Sequence, residues 1–258
     1  MSRLCLWVLM LSMTGIAIAQ SAPPSDPQAV TLAAQSVAAL TGGSAIFDAT
    51  LAGSAAWTVG SDQQSGTVTL LAKGFSESRV DLNLNAGTRS EIRNTNGNPN
   101  EGNWIGPDVV VHTIALHNCF TDTSWFFPAL NTLAAAGGNP NVVLSFAGLE
   151  NLGQTSLHHI HAYTYDAYLP DAQQLSAMDF YLDPQTFLPI VVTFNEHPDK
   201  DQTVNIAVEV MFSDYRNLSG ATIPFHIQRY VNNSLVLDVQ LTSVAVNSGI
   251  SDDQFSVQ

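Results

Sequence analysis

Strand patterns dominate the second half of this chain and leave little of it to helices. In the segment VNIAVEVMF, apolar residues recur at every second position, at Val204, Ile206, Val208, Val210 and Phe212. The segment LVLDVQLTSVAV, residues 235–246, alternates in the same way, and the NNS turn before it predicts a hairpin. Consecutive strands joined by short turns indicate an antiparallel meander.

The whole chain predicts about ten strands and two helices. Ten strands at a spacing of ~4.8 Å would make a flat sheet roughly 50 Å wide. A helix of about 12 residues is only ~18 Å long and ~10 Å across, so two of them cannot cover one face of that sheet. We therefore predict an α+β, mainly β fold. It is a single curled antiparallel sheet, an incomplete β-barrel of about ten strands, with two helices covering the concave face.

The first predicted helix lies in SDPQAVTLAAQSVAALTGG. Ser25 or Asp26 can cap this helix, Pro27 suits its first turn, and the glycine pair after Thr41 ends it. Its apolar face is narrow and rich in alanine, so we expect it to pack close to a sheet; the face consists of Val30, Ala33, Ala34, Val37 and Leu40.

The second predicted helix carries three adjacent aromatic residues and ends at GGNPN, residues 137–141. Asp122 or Thr123 can cap it. Helical spacing places four of its apolar residues near one face and turns Phe127 aside; these four are Trp125, Phe126, Leu130 and Leu133. The rings either fill the core or form a lid that lines a ligand cavity, and the pattern leaves both open. The Asn-rich stretch at 94–104 predicts a solvated loop.

The N-terminal residues have the layout of a secretory signal peptide. An arginine at position 3 precedes an apolar run, and small residues at Ala17 and Ala19 predict cleavage after Ala19. We therefore expect a signal peptide at 1–19, a linker at 20–27 and one domain at 28–258, released into the periplasm or outside the cell. No other window predicts a transmembrane segment. Cys119 then has no intrachain partner, and we expect a buried small hydrophobe rather than a reactive thiol.

Charge excludes one class of partner. The chain has 22 acidic residues against 8 basic residues, with a net charge of −14. A nucleic-acid partner requires a basic stripe, so we exclude it.

Catalytic and metal motifs are weak. The sequence has no nucleophile elbow and no H-E-x-x-H motif, so we predict no catalytic residue, no cofactor and no enzyme activity. His159 and His161 would point to the same side of a strand, and His112 and His117 could complete a metal site only if the fold brought them close. We predict no metal site.

Several segments together resemble the LolA/LolB-like periplasmic lipoprotein-carrier superfamily, in a branch of exported bacterial proteins. These segments are the helix AVTLAAQSVAAL, the strands IFDATLAGSAAW and GTVTLLAKGFSESRVDL, the pair MDFYLDPQTFLPIVVTF, and the ending FSDYRNLSGATIPFHIQRYVNNSLVLDVQLTSVAVN. The resemblance spans most of residues 28–255. It implies a half-barrel with an apolar cavity under helical lids that binds acyl chains of lipoproteins or lipids.

The resemblance and the apolar interior together predict a non-enzymatic carrier or binder of an apolar ligand, acting as a monomer. Its partner would be an apolar small molecule or acyl chain, with a lipoprotein or envelope protein as a further candidate. Strand parity and the aromatic helix supply the candidate cavity residues, which are Phe47, Leu51, Leu70, Val80, Leu82, Trp125, Phe126, Leu130, Leu133, Phe180, Val192 and Phe212.

Two other functions stay open. One is an envelope interaction or scaffold protein with a filled core, and the weaker one is a metal-dependent hydrolase around His159 and His161. A solvent-accessible cavity of several hundred Å³ would favour the carrier.

Overall fold

The first helix forms where the sequence predicts it. The computed structural model describes residues 21–95, 101–218 and 220–256, so the predicted signal peptide at 1–19 lies outside the described residues. Helix α1 spans Pro27–Thr41, and Asp26 caps it by accepting hydrogen bonds from the N–H groups of Gln28 (2.7 Å) and Ala29 (3.3 Å). Gly42 ends the helix in the left-handed conformation, with φ of 60°.

A single antiparallel sheet of 13 strands makes up most of the described chain, in the order β6-β5-β4-β3-β2-β1-β13-β12-β11-β10-β9-β8-β7. Its two edge strands, β6 and β7, are not paired with each other, so the sheet is an open half-barrel, as predicted. The strands are β1 Asp48–Val59, β2 Asp62–Lys73, β3 Glu77–Leu84, β4 Gly87–Asn94, β5 Glu101–Ile105, β6 Val111–Thr113, β7 Val142–Leu152, β8 Thr155–Thr164, β9 Met178–Leu182, β10 Pro189–Glu196, β11 Ile206–Leu218, β12 Ala221–Val231 and β13 Ser234–Val246.

Two short helices complete the regular structure, α2 at Thr132–Ala135 and α3 at Ala172–Leu175. Single 3-10 turns lie at Leu116–Cys119, Pro128–Leu130 and Asp252–Phe255. None of the helices within the described ranges has the length and apolar content needed to cross a membrane.

The curl of the sheet is shown by an ion pair that joins distant strands. Arg93 on β4 and Glu196 on β10 are seven strand positions apart in the sheet order. A flat sheet would separate them by about 34 Å, yet the guanidinium Nη2 of Arg93 lies 3.6 Å from Oε1 of Glu196. The two halves of the sheet therefore face each other across a trough.

The trough holds one apolar core. The concave face supplies large, fully buried side chains such as Leu51, Phe180 and Phe212, and α1 adds Leu32 and Leu40. Helix α1 lies against β12 and β7. Ser25 and Asp26, in the predicted linker, attach the start of the helix to β7, because Asp26 N donates to Leu144 O (2.8 Å) and Leu144 N donates to Ser25 Oγ (3.0 Å).

Two expectations are corrected by the structure. In the Asn-rich stretch expected to be a loop, residues 101–104 belong to strand β5, which pairs with β4 and β6, and residues 96–100 lie outside the described residues. The predicted aromatic helix is absent, because the chain turns repeatedly between Ser124 and Ala135 and only α2 is α-helical. Phe127, predicted to turn aside, is 1 % exposed, and Trp125 and Phe126 are also buried. All three rings are thus part of the core.

Hydrogen bonds replace helical geometry in this segment, residues 122–135, which we call the aromatic turn. The carboxylate of Asp122 accepts hydrogen bonds from the backbone N–H (3.0 Å) and the hydroxyl of Thr132 (2.5 Å). Ser124 Oγ donates to Leu130 O (2.5 Å), and Asn131 caps α2 through Leu133 N (3.0 Å). Burial raises the pKa of Asp122 to about 6, although the bonds from Thr132 act in the opposite direction.

Strand β13 carries a bulge opposite β1, at Thr242, which has no partner in β1. Their register shifts between Ala52 and Gly53, and such bulges bend a strand and increase its twist. A Cβ atom at Gly53 would lie 2.1 Å from the backbone oxygen of Gln240. The close approach of the two strands therefore requires glycine at this position.

Substituting Gly53 by alanine should lower the free energy of unfolding by about 1–3 kcal/mol, because β1 and β13 must move apart to admit the methyl group. Gly138→Ala is the matched control, since a Cβ there meets no atom within 4 Å, and we expect a change within about 0.5 kcal/mol. Urea unfolding followed by circular dichroism measures both. Equal stability of the two variants would contradict the role assigned to Gly53.

Substituting Asp122 by asparagine should change how stability depends on pH. The raised pKa means that the folded protein holds the proton of Asp122 more tightly than the unfolded chain does. This group therefore contributes stability below about pH 4, and the contribution is lost as the pH rises to about 6. Thermal unfolding at pH 4 to 7 should show Asp122→Asn gaining stability relative to the wild type as the pH rises. A constant difference between the two proteins would contradict the burial of this carboxyl group.

Candidate functional site

An apolar groove opens between α1 and the end of the aromatic turn. Its volume is about 660 Å³, within the range of roughly 300–1,000 Å³ that ligand pockets occupy. The described residues that line it are Val30, Ala33, Ala34, Val37, Ala38, Thr41, Gly43, Ser44, Ala45, Ile46, Phe47, Gly74, Phe75, Ala129, Leu130, Leu133, Ala134, Ala136, Gly137 and Leu144. Only Thr41 and Ser44 contribute hydroxyl groups, so the groove offers almost pure hydrocarbon contact.

Three large apolar side chains at the groove are open to solvent. Phe47 is 68 % exposed, Phe75 is 55 % exposed and Val30 is 44 % exposed. Single exposed apolar residues are common on protein surfaces, but a cluster around one concavity marks a binding surface. A ligand that entered the groove would cover these side chains.

Small residues of α1 create the depth of the groove. Ala34 and Ala38 are exposed on the side of α1 that faces it, and any longer side chain there would fill the space. The alanine-rich face of α1 was expected to pack close to the sheet. Within the predicted face, Ala33 and Leu40 are buried, at 2 % and 1 % exposure, whereas Val30 and Ala34 are exposed and line the groove instead.

The predicted cavity residues divide among three places. Phe47, Leu130 and Leu133 line the groove. Val80, Leu82 and Trp125 line a second, smaller cavity of about 180 Å³. The other six are buried in the core and line neither space; they are Leu51, Leu70, Phe126, Phe180, Val192 and Phe212. The groove residues of α1 and Phe75 were missed, although the alanine stripe of α1 was a usable signal for them.

The histidine pair forms a hydrogen-bonded cluster with carboxylates. His159 and His161 share one side of β8, as predicted, and Asp179 Oδ1 lies 2.7 Å from His159 Nε2 and 2.9 Å from His161 Nδ1. Glu150 Oε2 lies 3.1 Å from His159 Nδ1. The hydrogen bond to Asp179 raises the pKa of His161. Across residues 21–95, 101–218 and 220–256, no group of three or more His, Cys, Asp or Glu side chains could hold a metal ion.

The remaining candidate side chains have structural partners. His112 stacks on Trp104 with ring centroids 4.0 Å apart, and His117 Nε2 lies 3.1 Å from Pro198 O, so neither completes a set with His159. Cys119 is buried, and burial raises the pKa of its thiol, which keeps it protonated. It is a small core residue, as the sequence predicts.

Comparison with known proteins gives a clear result for the fold and none for the sequence. No family model matches the chain, and no curated protein matches it. Among solved structures, an outer membrane lipoprotein-sorting protein domain from Vibrio parahaemolyticus is similar at a TM-score of 0.57 and 10 % identity, over 88 % of this chain and 96 % of that chain.

Two further structures agree. A DUF1329 family protein from Desulfovibrio piger matches at a TM-score of 0.55 and 12 % identity, over 91 % of this chain and 98 % of that one. A LolA superfamily protein from Nitrosomonas europaea matches at a TM-score of 0.55 and 12 % identity, over 89 % of this chain and 97 % of that chain. The predicted resemblance is confirmed at the level of fold: this chain has the fold of LolA-like lipoprotein-sorting structures.

Proposed function

We propose that this protein is an exported, non-enzymatic carrier or binder of an apolar ligand, an acyl chain of a lipid or lipoprotein. The apolar groove under α1 carries this proposal. Its 660 Å³ of space is flanked by exposed Phe47, Phe75 and Val30, which gain burial when a hydrocarbon chain enters.

The lining of the groove argues for binding rather than catalysis. The described residues that line it include no histidine, cysteine, carboxylate or amine, and general acid–base or nucleophilic catalysis needs such groups. The hydroxyls of Thr41 and Ser44 have no neighbouring base in the lining. The groove therefore supports the capture of a ligand without chemistry on it.

The setting supports a carrier in the periplasm. The fold is shared with a lipoprotein-sorting domain and a LolA superfamily protein, and the N-terminal residues predict a cleaved signal peptide. An acyl chain released in water needs a covered path between membranes, and a groove that is open along one side can accept and release it.

An envelope interaction protein is the second candidate, and one observation favours it. The edge strands β6 and β7 carry exposed apolar side chains, including Val111 at 46 % exposure and Leu149 at 63 %, and exposed edges can pair with another chain. We prefer the carrier because the groove of several hundred Å³ supports ligand binding.

Filling the groove should abolish ligand binding without unfolding the protein. Ala34→Trp puts an indole into the groove from an exposed position of α1, and we expect the affinity for a fluorescent fatty-acid probe to fall at least tenfold. Gln35→Trp is the matched control, because Gln35 is exposed on the same helix and does not line the groove. The dissociation constants of wild type and both variants are measured by titration at equal protein concentration.

Native mass spectrometry of protein purified from its own host provides the complementary measurement. The proposal expects a co-purified lipid or fatty acid in the wild type and in Gln35→Trp, and its loss in Ala34→Trp. An absence of lipid together with no probe binding in the wild type would refute the carrier.

A further inference from the structure

The second cavity differs in chemistry from the groove. It lies on the inner side of the sheet and has a volume of about 180 Å³. Three tryptophans and two arginines line it together with a serine, a carboxylate and five aliphatic residues; these are Trp57, Trp104, Trp125, Arg89, Arg229, Ser90, Glu91, Val80, Leu82, Ile105, Val236 and Leu237. The size admits only a compact group, because drug-sized ligands need roughly 300 Å³ or more. Trp125 belongs to the aromatic turn, whose other end, at Leu130 and Leu133, lines the groove.

Positive charge is concentrated at this cavity in a chain that has little of it. The sequence has 8 basic residues and a net charge of −14, yet Arg89 and Arg229 line the cavity and Arg93 lies directly behind it, bonded to Glu91 of the lining (2.7 Å). The guanidinium of Arg89 lies 4.2 Å from the ring centroid of Trp57, and that of Arg229 lies 4.9 Å from that of Trp125. The indole rings hold both cations in place.

The carboxylates nearby are already engaged. Glu91 accepts a hydrogen bond from Arg93 (2.7 Å), and Glu196 accepts from Arg229. No carboxylate oxygen of a described residue lies within 4.0 Å of the guanidinium of Arg89. The three arginines at the cavity thus have only two neighbouring carboxylates, and Arg89 has no carboxylate partner among the described residues.

Three hydrogen-bond donors in the cavity wall lack an acceptor. These are Nε of Arg89, Nε of Arg229 and Nε1 of Trp125, each buried and without a hydrogen-bond partner among the described residues. Buried polar groups in proteins are normally hydrogen-bonded, so a cluster of unpaired donors at one cavity points to an acceptor that the protein itself does not supply. An acceptor with several oxygens and a negative charge satisfies all three.

We propose that this cavity binds a compact oxyanion, a carboxylate or phosphate group, clamped by Arg89 and Arg229 between the indole rings. The anion accepts hydrogen bonds from the guanidinium of Arg89 and from Nε of Arg229, whose Nη2 stays bonded to Glu196, since a guanidinium group matches both oxyanions. The group comes either as a free anion or as the head of an amphiphile. This site is independent of the groove, because it rests on different residues and on charge rather than on apolar area.

Tryptophan fluorescence reports on this cavity almost alone. The chain has 4 tryptophans; Trp7 lies in the predicted signal peptide, and the other three line the cavity. Exported protein is titrated separately with inorganic phosphate, with decyl phosphate and with 1-decanol, which has the tail but no charge. The same titrations are repeated with Arg89→Gln, and with Arg216→Gln as the control, because Arg216 is an exposed arginine paired with Asp214 outside this cavity.

We expect a saturable fluorescence change with decyl phosphate that weakens at least tenfold in Arg89→Gln and stays the same in Arg216→Gln, while 1-decanol causes no such change. Saturation by inorganic phosphate as well assigns the site to a free anion, and saturation by decyl phosphate alone assigns it to an amphiphile head. Arg89→Lys keeps the positive charge but loses the planar guanidinium group, so its affinity for decyl phosphate should lie between those of the wild type and Arg89→Gln. It serves as the test if Arg89→Gln does not fold.

No saturable response to either anion, or equal affinity in wild type and Arg89→Gln, overturns the proposal. A fluorescence change with 1-decanol equal to that with decyl phosphate also overturns the proposal. Neither result bears on the groove, whose own test uses Ala34→Trp.

Discussion

The sheet is too wide for the helices to cover, and this mismatch determines how the chain folds. Thirteen strands in one antiparallel sheet expose far more apolar surface than one 15-residue helix and two single-turn helices can cover. The sheet therefore buries its own concave face by curling, until Arg93 of β4 meets Glu196 of β10. Gly53 of β1, opposite the bulge in β13, and the other register shifts of the sheet allow the bend.

Curling fills most of the trough with side chains from the protein itself. The aromatic turn supplies Trp125, Phe126 and Phe127 to the middle of the core, so the open space lies where this filling stops. On one side the small residues of α1 leave an apolar groove, and elsewhere two arginines and three tryptophans enclose a small charged cavity. The apolar groove and the charged cavity thus both lie where side chains of the protein do not fill the trough completely. Small side chains leave the space at the groove, and arginines line it at the cavity.

Periodicity predicts the sheet well and its interior poorly. Alternation in β11 and β13 identifies the buried residues Val208, Val210, Phe212, Val239 and Leu241 correctly, because a strand with one buried face must alternate. Strand β5 was missed because its first three residues, EGN, have little β propensity, and the strand forms by pairing with β4. The aromatic turn was mistaken for a helix, since local spacing does not show that Asp122 bonds Thr132 ten residues later. Strand parity likewise places Leu51 and Phe180 on the concave face without showing that other side chains cover them.

In the proposed function, an apolar chain binds in the groove beside α1. Photo-crosslinking with a neutral fatty alcohol that carries a diazirine near the end of its chain tests this most directly, because the labelled peptides can be mapped by mass spectrometry. We expect labels in α1 and in residues 129–137, the two walls of the groove. Labels confined to the edge strands, or spread over the surface without saturation, would contradict it.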